Sequence, residues 1–155
     1  MCDGNIMSLL YGDDFEDKVV LEQGNTFLRL FYQCTTITTP PKLPATTLTS
    51  SCYSDMFNGC TSLTTAPELP ATTLSSYCYS AMFNGCTSLT TVPTILPATT
   101  LYEYCYNYMF SGCSSLTIAP ELPATILVSS CYRFMFNNCR ALTRITCLAT
   151  DISAS

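Results

Sequence analysis

One stretch recurs four times in this chain and limits the folds that the chain can adopt. The copies begin at Leu43, Leu69, Leu96 and Leu122. A nearly fixed period of about 26 residues is typical of solenoids, in which each copy forms one coil and buries its apolar face only against its neighbours. The sequence therefore predicts a repeat solenoid whose coils are stable only as a stack.

The repeats divide the chain into four parts. Residues 1–24 form a lead-in that we expect to cap the first coil, and residues 25–42 form a degenerate half repeat. The region 43–146 holds the four full repeats (43–68, 69–95, 96–121 and 122–146), and 147–155 is a truncated exit segment. Solenoids normally end in a polar cap. Because none follows the fourth repeat, the sequence suggests a piece excised from a longer protein.

Apolar residues within a repeat recur at helical spacing. In the first full repeat Cys52, Tyr53, Met56, Phe57 and Cys60 lie at offsets 0, 1, 4, 5 and 8. These offsets fall on one face of an α-helix and predict a helix of about two turns. The residue before the second cysteine should close this helix in the left-handed backbone region, which glycine and asparagine tolerate best. That position holds Gly59, Gly85, Gly112 and Asn138.

Extended segments follow each predicted helix. The stretch 63–66 (Leu-Thr-Thr-Ala) is rich in β-branched residues and favours a strand, which Pro67 ends, and 71–74 is a second extended segment. The predicted fold is thus an α/β repeat solenoid, leucine-rich-repeat-like, with one short helix and one or two short strands per coil. Strands of successive coils should be parallel and stacked. Because strands stack at about 4.8 Å and helices at about 10 Å, the stack should curve.

The repeated sequence resembles a known family. Leu-Pro-Ala-Thr-Thr-Leu, followed by Met-Phe-x-Gly-Cys-Thr-Ser-Leu-Thr-Thr-Ala-Pro, resembles the BspA-type leucine-rich repeats of surface proteins in gut Bacteroidetes. The family signature maps onto residues 56–67 and their copies, and the likeness covers about 25–155. Methionine replaces the family's common alanine, Cys-Tyr replaces Ile-Gly, and the 26-residue period is long, which indicates a subfamily. The resemblance implies a cell-surface or secreted module for adhesion without enzyme activity.

The eleven cysteines are predicted to be buried free thiols. Two cysteines of one repeat lie eight residues apart, or about 12 Å along a helix, whereas the Cα atoms of a disulfide must lie within about 7 Å. Pairing between adjacent coils stays open. The chain contains no histidine and no Cys-x-x-Cys, so neither a zinc site at the usual spacing nor a histidine base is expected. We therefore predict no metal, no cofactor and no enzyme activity.

Charge excludes one class of partner and suggests another. The net charge is −5 and no basic stripe exists, which argues against nucleic-acid binding. The chain lacks an apolar run of the roughly 18 residues that a membrane-spanning helix needs, so no membrane insertion is expected. Six of the eleven acidic residues lie between Asp3 and Glu22, while Arg133, Arg140 and Arg144 lie in the last repeat. Head-to-tail self-association of chains is therefore a hypothesis beside that of two solvated ends.

The residues that differ between copies avoid the predicted core face and should lie together on the outer surface. Exposed aromatic residues often mark an interaction site. The candidate surface comprises Tyr77, Tyr102, Glu103, Tyr104, Tyr108, Arg133 and Phe134. We expect it to contact a protein or glycan ligand on a host or neighbouring cell, although tyrosine that only shields neighbouring coils is an alternative. A structural spacer or fibre segment, or an accessory domain of a larger enzyme, are alternatives for the whole chain.

Overall fold

The computed structural model describes residues 4–153. Within that range the helices are one α-helix, Ser8–Tyr11, which we call α1, and one 3-10 helix, Gly12–Asp14. The β pairing of the described chain consists of single-residue parallel bridges and includes no longer strand. Four bridges join equivalent residues of successive full repeats: Thr47↔Thr73, Thr65↔Thr91, Ile95↔Glu121 and Ile118↔Arg144. Three others join the lead-in or the exit segment to a repeat: Val20↔Thr47, Leu122↔Cys147 and Ile126↔Asp151.

Five ten-residue stretches of consecutive turns occupy the places of the predicted helices. We call them the first to fifth turn segments: 24–33, 50–59, 76–85, 103–112 and 129–138. Their backbone N–H groups make turn bonds to the carbonyl three residues earlier, such as Met56 N–H to Tyr53 O at 3.3 Å. An α-helix would instead use the carbonyl four residues earlier. The prediction of one short helix per repeat is therefore wrong.

The backbone hydrogen bonds of a turn segment alternate between two kinds of partner. Every second N–H closes a turn within the segment. The N–H groups between them donate to the next segment, as Tyr53 N–H does to Cys78 O at 3.0 Å and Asp55 N–H does to Ser80 O at 2.8 Å. Half of the donors thus join one copy of the repeat to the next, which an α-helix cannot do because its bonds are internal.

Every fourth residue of a turn segment has a left-handed backbone. Each segment has three such residues, and in the second segment they are Ser51, Asp55 and Gly59, with φ of 56°, 54° and 77°. Each lies at the third position of a turn, where a type II turn requires positive φ. The left-handed glycine expected at position 59 is present, but it belongs to a turn and does not end a helix.

The composition of the segment explains why turns replace the helix. The second segment reads Ser-Ser-Cys-Tyr-Ser-Asp-Met-Phe-Asn-Gly, in which only methionine is a strong helix former. A helix also needs about 10 Å to its neighbour. The ring centroids of Phe57 and Phe83, at equivalent positions in adjacent segments, lie only 5.5 Å apart. Because this spacing is close to that of paired strands, the geometric basis of the predicted curvature is removed.

The predicted core residues are buried although their backbone differs from the prediction. Cys52, Tyr53, Met56, Phe57 and Cys60 are all fully buried. A turn repeat of four residues places offsets 0, 1, 4, 5 and 8 on one side, as a helix of 3.6 residues per turn does. Two rows of aromatic rings run through the core, and their centroids are 5.3 to 5.9 Å apart between successive segments.

The lead-in and the exit segment pair with the repeats. Ile6, Met7 and Leu21 are buried in the same core as the repeats. Leu21 N–H donates to Thr47 O at 3.1 Å, and Leu127 N–H donates to Asp151 O at 3.1 Å. Both terminal parts therefore continue the coil-to-coil pairing outside the turn segments.

Candidate binding surface

The left-handed residues of successive turn segments form rows across the surface. The first left-handed position of the segments, which we call the first row, holds Asn25, Ser51, Tyr77, Tyr104 and Ser130. The second position, the middle row, holds Arg29, Asp55, Ala81, Tyr108 and Phe134. Because the backbones of adjacent segments are hydrogen-bonded, side chains at one position come into contact with their equivalents in the next copy.

Two tyrosines of the first row stack on each other. The ring centroids of Tyr77 and Tyr104 lie 4.7 Å apart, and their planes differ by only 8°. Tyr77 is 42 % exposed, and Tyr104 is partly buried beneath its neighbour. The stacked rings cover one face of each other, so the pair exposes ring edges more than ring faces.

A second aromatic pair lies in the middle row. The ring centroids of Tyr108 and Phe134 lie 4.9 Å apart with planes tilted by 34°, and Phe134 is 47 % exposed. The guanidinium of Arg133 lies 5.0 Å from the centre of the Phe134 ring, which is within cation–π range. This pair therefore combines an apolar surface with a fixed positive charge.

Five of the seven candidate residues thus fall into these two clusters, and the other two lie beside them. Tyr102 and Glu103 are exposed where the fourth turn segment begins. The backbone carbonyl of Glu103 accepts a hydrogen bond from Tyr77 N–H at 3.2 Å, and Tyr102 makes no ring contact with any residue of 4–153.

The middle row also contains a polar pair that the sequence did not single out. Arg29 Nε lies 3.4 Å from Asp55 Oδ2, and its guanidinium lies 5.3 Å from the Tyr32 ring centre. The row is therefore charged at its amino-terminal end and aromatic at its carboxyl-terminal end. The signal in the sequence was the opposite charge of Arg29 and Asp55, which lie 26 residues apart at equivalent positions of successive copies.

Seven of the ten described cysteines are buried, Cys34 and Cys139 are partly exposed, and Cys147 is exposed. All ten described cysteines are free, and one row of them donates to the preceding copy. Cys86 Sγ donates to Phe57 O at 3.1 Å, which also accepts Cys60 N–H at 3.0 Å. Burial raises the pKa of Cys86 to about 12. Because the thiolate is the nucleophile, these thiols act as core side chains.

Two further properties of the described residues bear on the surface. Among residues 4–153 no group of three or more histidine, cysteine, aspartate or glutamate side chains is arranged to hold a metal ion. In the same part of the chain no helix has the length and apolarity needed to cross a membrane.

Comparisons with protein-family models, curated proteins and solved structures gave no match to this chain. The resemblance to BspA-type repeats therefore stays a prediction that rests on the repeated motif alone.

Proposed function

We propose that this chain is a non-catalytic binding or adhesion module of the leucine-rich-repeat solenoid class, displayed on a microbial surface or secreted. Its ligand is a protein or glycan on a host or neighbouring cell. The observation that carries the proposal is that aromatic side chains occupy left-handed backbone at four positions. Tyr77 and Phe134 are exposed, and Tyr104 and Tyr108 are partly exposed.

Aromatic residues are an unfavourable choice at these positions. A left-handed backbone costs a residue with a side chain about 1–2 kcal/mol, and bulky residues adopt it rarely. The chain itself shows that the fold does not need a ring there. Equivalent positions hold Ser51 and Ser130 in the first row and Asp55 and Ala81 in the middle row. Strained residues without a structural role concentrate at functional sites.

The chemistry of the two clusters suits a ligand with apolar faces and hydroxyl groups. Stacked rings offer a large contact area at low entropic cost because tyrosine has few rotatable bonds. The ring surface of the Tyr77–Tyr104 stack that the two rings do not cover can pack against the C–H face of a sugar ring or a planar side chain. Arg133 beside Phe134 adds a donor fork for a carboxylate or sulfate group of the ligand.

The properties of the core thiols agree with a role without catalysis. Burial raises the pKa of Cys52, Cys78 and Cys105 to about 12. At neutral pH these groups are thiols, which neither attack carbonyl carbon efficiently nor bind soft metals. These buried thiols therefore support no nucleophilic step.

Binding to a glycan and matrix-protein array tests the proposal. We expect the double variant Tyr77→Ser, Tyr104→Ser to lose at least tenfold in affinity for the ligand identified, since stacked aromatic contacts dominate such interfaces. Tyr32→Ser is the matched control, because Tyr32 is also 42 % exposed but lies outside both rows. An array without any specific ligand, or equal binding by the double variant and the wild type, would instead favour the spacer or fibre segment.

A further inference from the structure

One repeat is longer than the copies on either side of it, and the difference lies in an extended segment. The second full repeat, 69–95, has one residue more than the first and the third. Those two copies contain Ala-Pro-Glu-Leu-Pro, at 66–70 and 119–123, whereas the second contains Val-Pro-Thr-Ile-Leu-Pro at 92–97. Thr94 and Ile95 thus replace a single glutamate. An extra residue in one of two paired strands forms a bulge that leaves nearby backbone groups unpaired.

The extra residue interrupts the pairing of neighbouring copies. Backbone hydrogen bonds of 2.9 to 3.2 Å join the first copy to the second, between 64–66 and 90–91. Equivalent bonds join the third copy to the fourth, between 117–119 and 143–144. Between the second and third copies, 90–92 and 117–119 form no backbone hydrogen bond and no parallel bridge. The interruption therefore lies inside the array, with paired copies on both sides.

Four backbone groups that are paired in the neighbouring junctions have no partner at this interruption. The N–H groups of Val92 and Thr117 have no acceptor among residues 4–153. The carbonyl oxygens of Thr90 and Ile118 have no donor in the same range. Backbone groups of this kind form hydrogen bonds wherever a partner is available. Two donors and two acceptors are thus offered at one place.

A pocket of about 330 Å³ opens along the interruption. It is lined by 90–94 and 117–119, which carry the four unpaired groups, and by Glu121, Arg144 and Thr146. Sites for small molecules have volumes of about 300–1,000 Å³. The pocket is at the lower end of this range, so its occupant must be a single small unit and not an extended chain.

The side chains of the pocket add hydroxyl groups and two opposite charges. Thr91, Thr94 and Thr117 are exposed, and their hydroxyl groups make no hydrogen bond within 4–153. The Glu121 carboxylate and the Arg144 guanidinium make no ion pair in that range. A carboxylate only accepts hydrogen bonds and a guanidinium only donates them, so both remain available to a ligand. Their charges cancel, and the pocket has no net charge.

We propose that this pocket binds one neutral sugar ring, as a second site separate from the first row and the middle row. Each sugar hydroxyl both donates and accepts, so neighbouring hydroxyls match the unpaired N–H and carbonyl groups as well as Glu121 and Arg144. Ile118 is 59 % exposed and offers an apolar surface to the C–H groups of the ring. A sugar acid fits less well, because Glu121 repels a carboxylate.

Ligand-observed NMR and isothermal titration with small sugars test this proposal. The probes are the methyl glycosides of glucose, galactose, mannose and N-acetylglucosamine, with glucuronic acid and a dialanine peptide as comparators. We expect at least one neutral glycoside to bind with a Kd in the millimolar range or below. Glucuronic acid and the dipeptide should bind more weakly than that glycoside.

Removing the extra residue tests whether the interruption creates the site. Deletion of Thr94 together with Ile95→Glu gives the second copy the Pro-Glu-Leu-Pro of the first and third copies. Hydrogen bonds between 90–92 and 117–119 should then form as in the neighbouring junctions. The urea midpoint should therefore rise, and sugar binding should fall by about tenfold or more because the polar groups are occupied. Circular dichroism shows that the shortened variant is folded.

Single substitutions test the pocket without changing the length of the repeat. Glu121→Gln removes a charged acceptor and should weaken sugar binding about tenfold. Glu68→Gln is the matched control, because Glu68 has the equivalent position in the first copy and lies outside this pocket. The double variant Tyr77→Ser, Tyr104→Ser should bind the sugar as wild type does, which separates this site from the function proposed for the aromatic surface.

Four results would overturn the proposal. Wild type could bind no neutral glycoside of the panel, or it could bind glucuronic acid or the dipeptide more tightly than every neutral glycoside. The shortened variant could bind the sugar as tightly as wild type does. Glu121→Gln could bind as Glu68→Gln does, and this comparison decides the matter even where the shortened variant does not fold.

Discussion

Replacing one core tyrosine by phenylalanine should stabilise this protein. The hydroxyl groups of Tyr53, Tyr79 and Tyr106 are buried and have no hydrogen-bond partner among the described residues. Tyr79 is the clearest case, because it is 1 % exposed and its ring lies between the rings of Tyr53 and Tyr106 at 5.8 and 5.6 Å. Burial raises the pKa of Tyr79 well above the ordinary value, so its phenol stays neutral. The buried O–H has no acceptor among the described residues.

The magnitude follows from the loss of hydration. A buried polar group that loses water and gains no partner costs about 1–3 kcal/mol on folding. Tyr79→Phe removes that group but keeps the ring, its stacking and nearly all of its volume. The chain already contains this arrangement, since Phe27 occupies the equivalent position and stacks on Tyr53 at 5.9 Å. We expect a gain of about 1–2 kcal/mol in the free energy of unfolding, or about 2–6 °C in Tm.

Urea unfolding followed by circular dichroism measures the change, with Tm from calorimetry as a second readout. Tyr132→Phe is the matched control. It lies in the same aromatic row, 5.7 Å from Tyr106, but its ring is partly exposed and its hydroxyl is not among the buried groups without a partner. Its effect should stay within about 0.5 kcal/mol. A loss of more than about 1 kcal/mol in Tyr79→Phe would refute the reasoning, because the hydroxyl would then have a partner.

Three further predictions concern glycine, pH and thiol reactivity. Gly112→Ala should lower the free energy of unfolding more than Gly85→Ala, because the added Cβ would lie 3.4 Å from the Gly85 backbone in the first variant and 3.8 Å from Gly59 in the second. Both glycines have positive φ, which should cost either alanine about 1 kcal/mol, and urea midpoints that fall equally would contradict the difference. Stability should be complete well below pH 9 and fall above it, because burial raises the pKa of Cys52, Cys78, Cys86 and Cys105 from 9.0 to about 12 and only the unfolded chain ionises. The four thiols together should lower the free energy of unfolding by about 6 kcal/mol at pH 10, and equal urea midpoints at pH 7 and pH 10 would disprove this. In the native protein, iodoacetamide should modify Cys34 and Cys147 before the buried thiols, because the Thr36 hydroxyl lowers the pKa of Cys34 and Cys147 is exposed. Mass spectrometry that finds buried cysteines labelled first would refute the burial argument.

The sequence predicted which residues form the core better than it predicted their backbone. Offsets 0, 1, 4, 5 and 8 fit a period of four as well as one of 3.6, so Cys52 to Cys60 are buried in either structure. The helix and the turn segment differ in which carbonyls their backbone N–H groups bond to, and side-chain spacing does not encode those partners. The low helix propensity of Ser-Cys-Tyr-Ser-Asp was the available evidence, and it favours turns. The left-handed backbone at Gly59 was predicted because glycine tolerates it best, whereas that at Ser51 and Tyr77 was not, because these residue types do not favour it.

For the candidate surface too, the sequence predicted the residues but not their contacts. Choosing positions that vary between copies identified the aromatic residues, because a core position cannot vary freely in a stack. The sequence could not pair them, since the contact between Tyr77 and Tyr104 depends on the coil spacing and on a shared left-handed position. A helix would have separated neighbouring copies by about 10 Å, and rings on its outer face would not have stacked at 4.7 Å.

The alternating turn bonds link the fold to the proposed binding surface. Because each turn segment uses half of its donors on the next copy, its side chains are held in register, and this register aligns the aromatic pairs. An α-helix at these positions would satisfy its own donors internally and would not hold neighbouring copies in the register that aligns the rows. The stacked aromatic pairs are therefore a consequence of the backbone repeat.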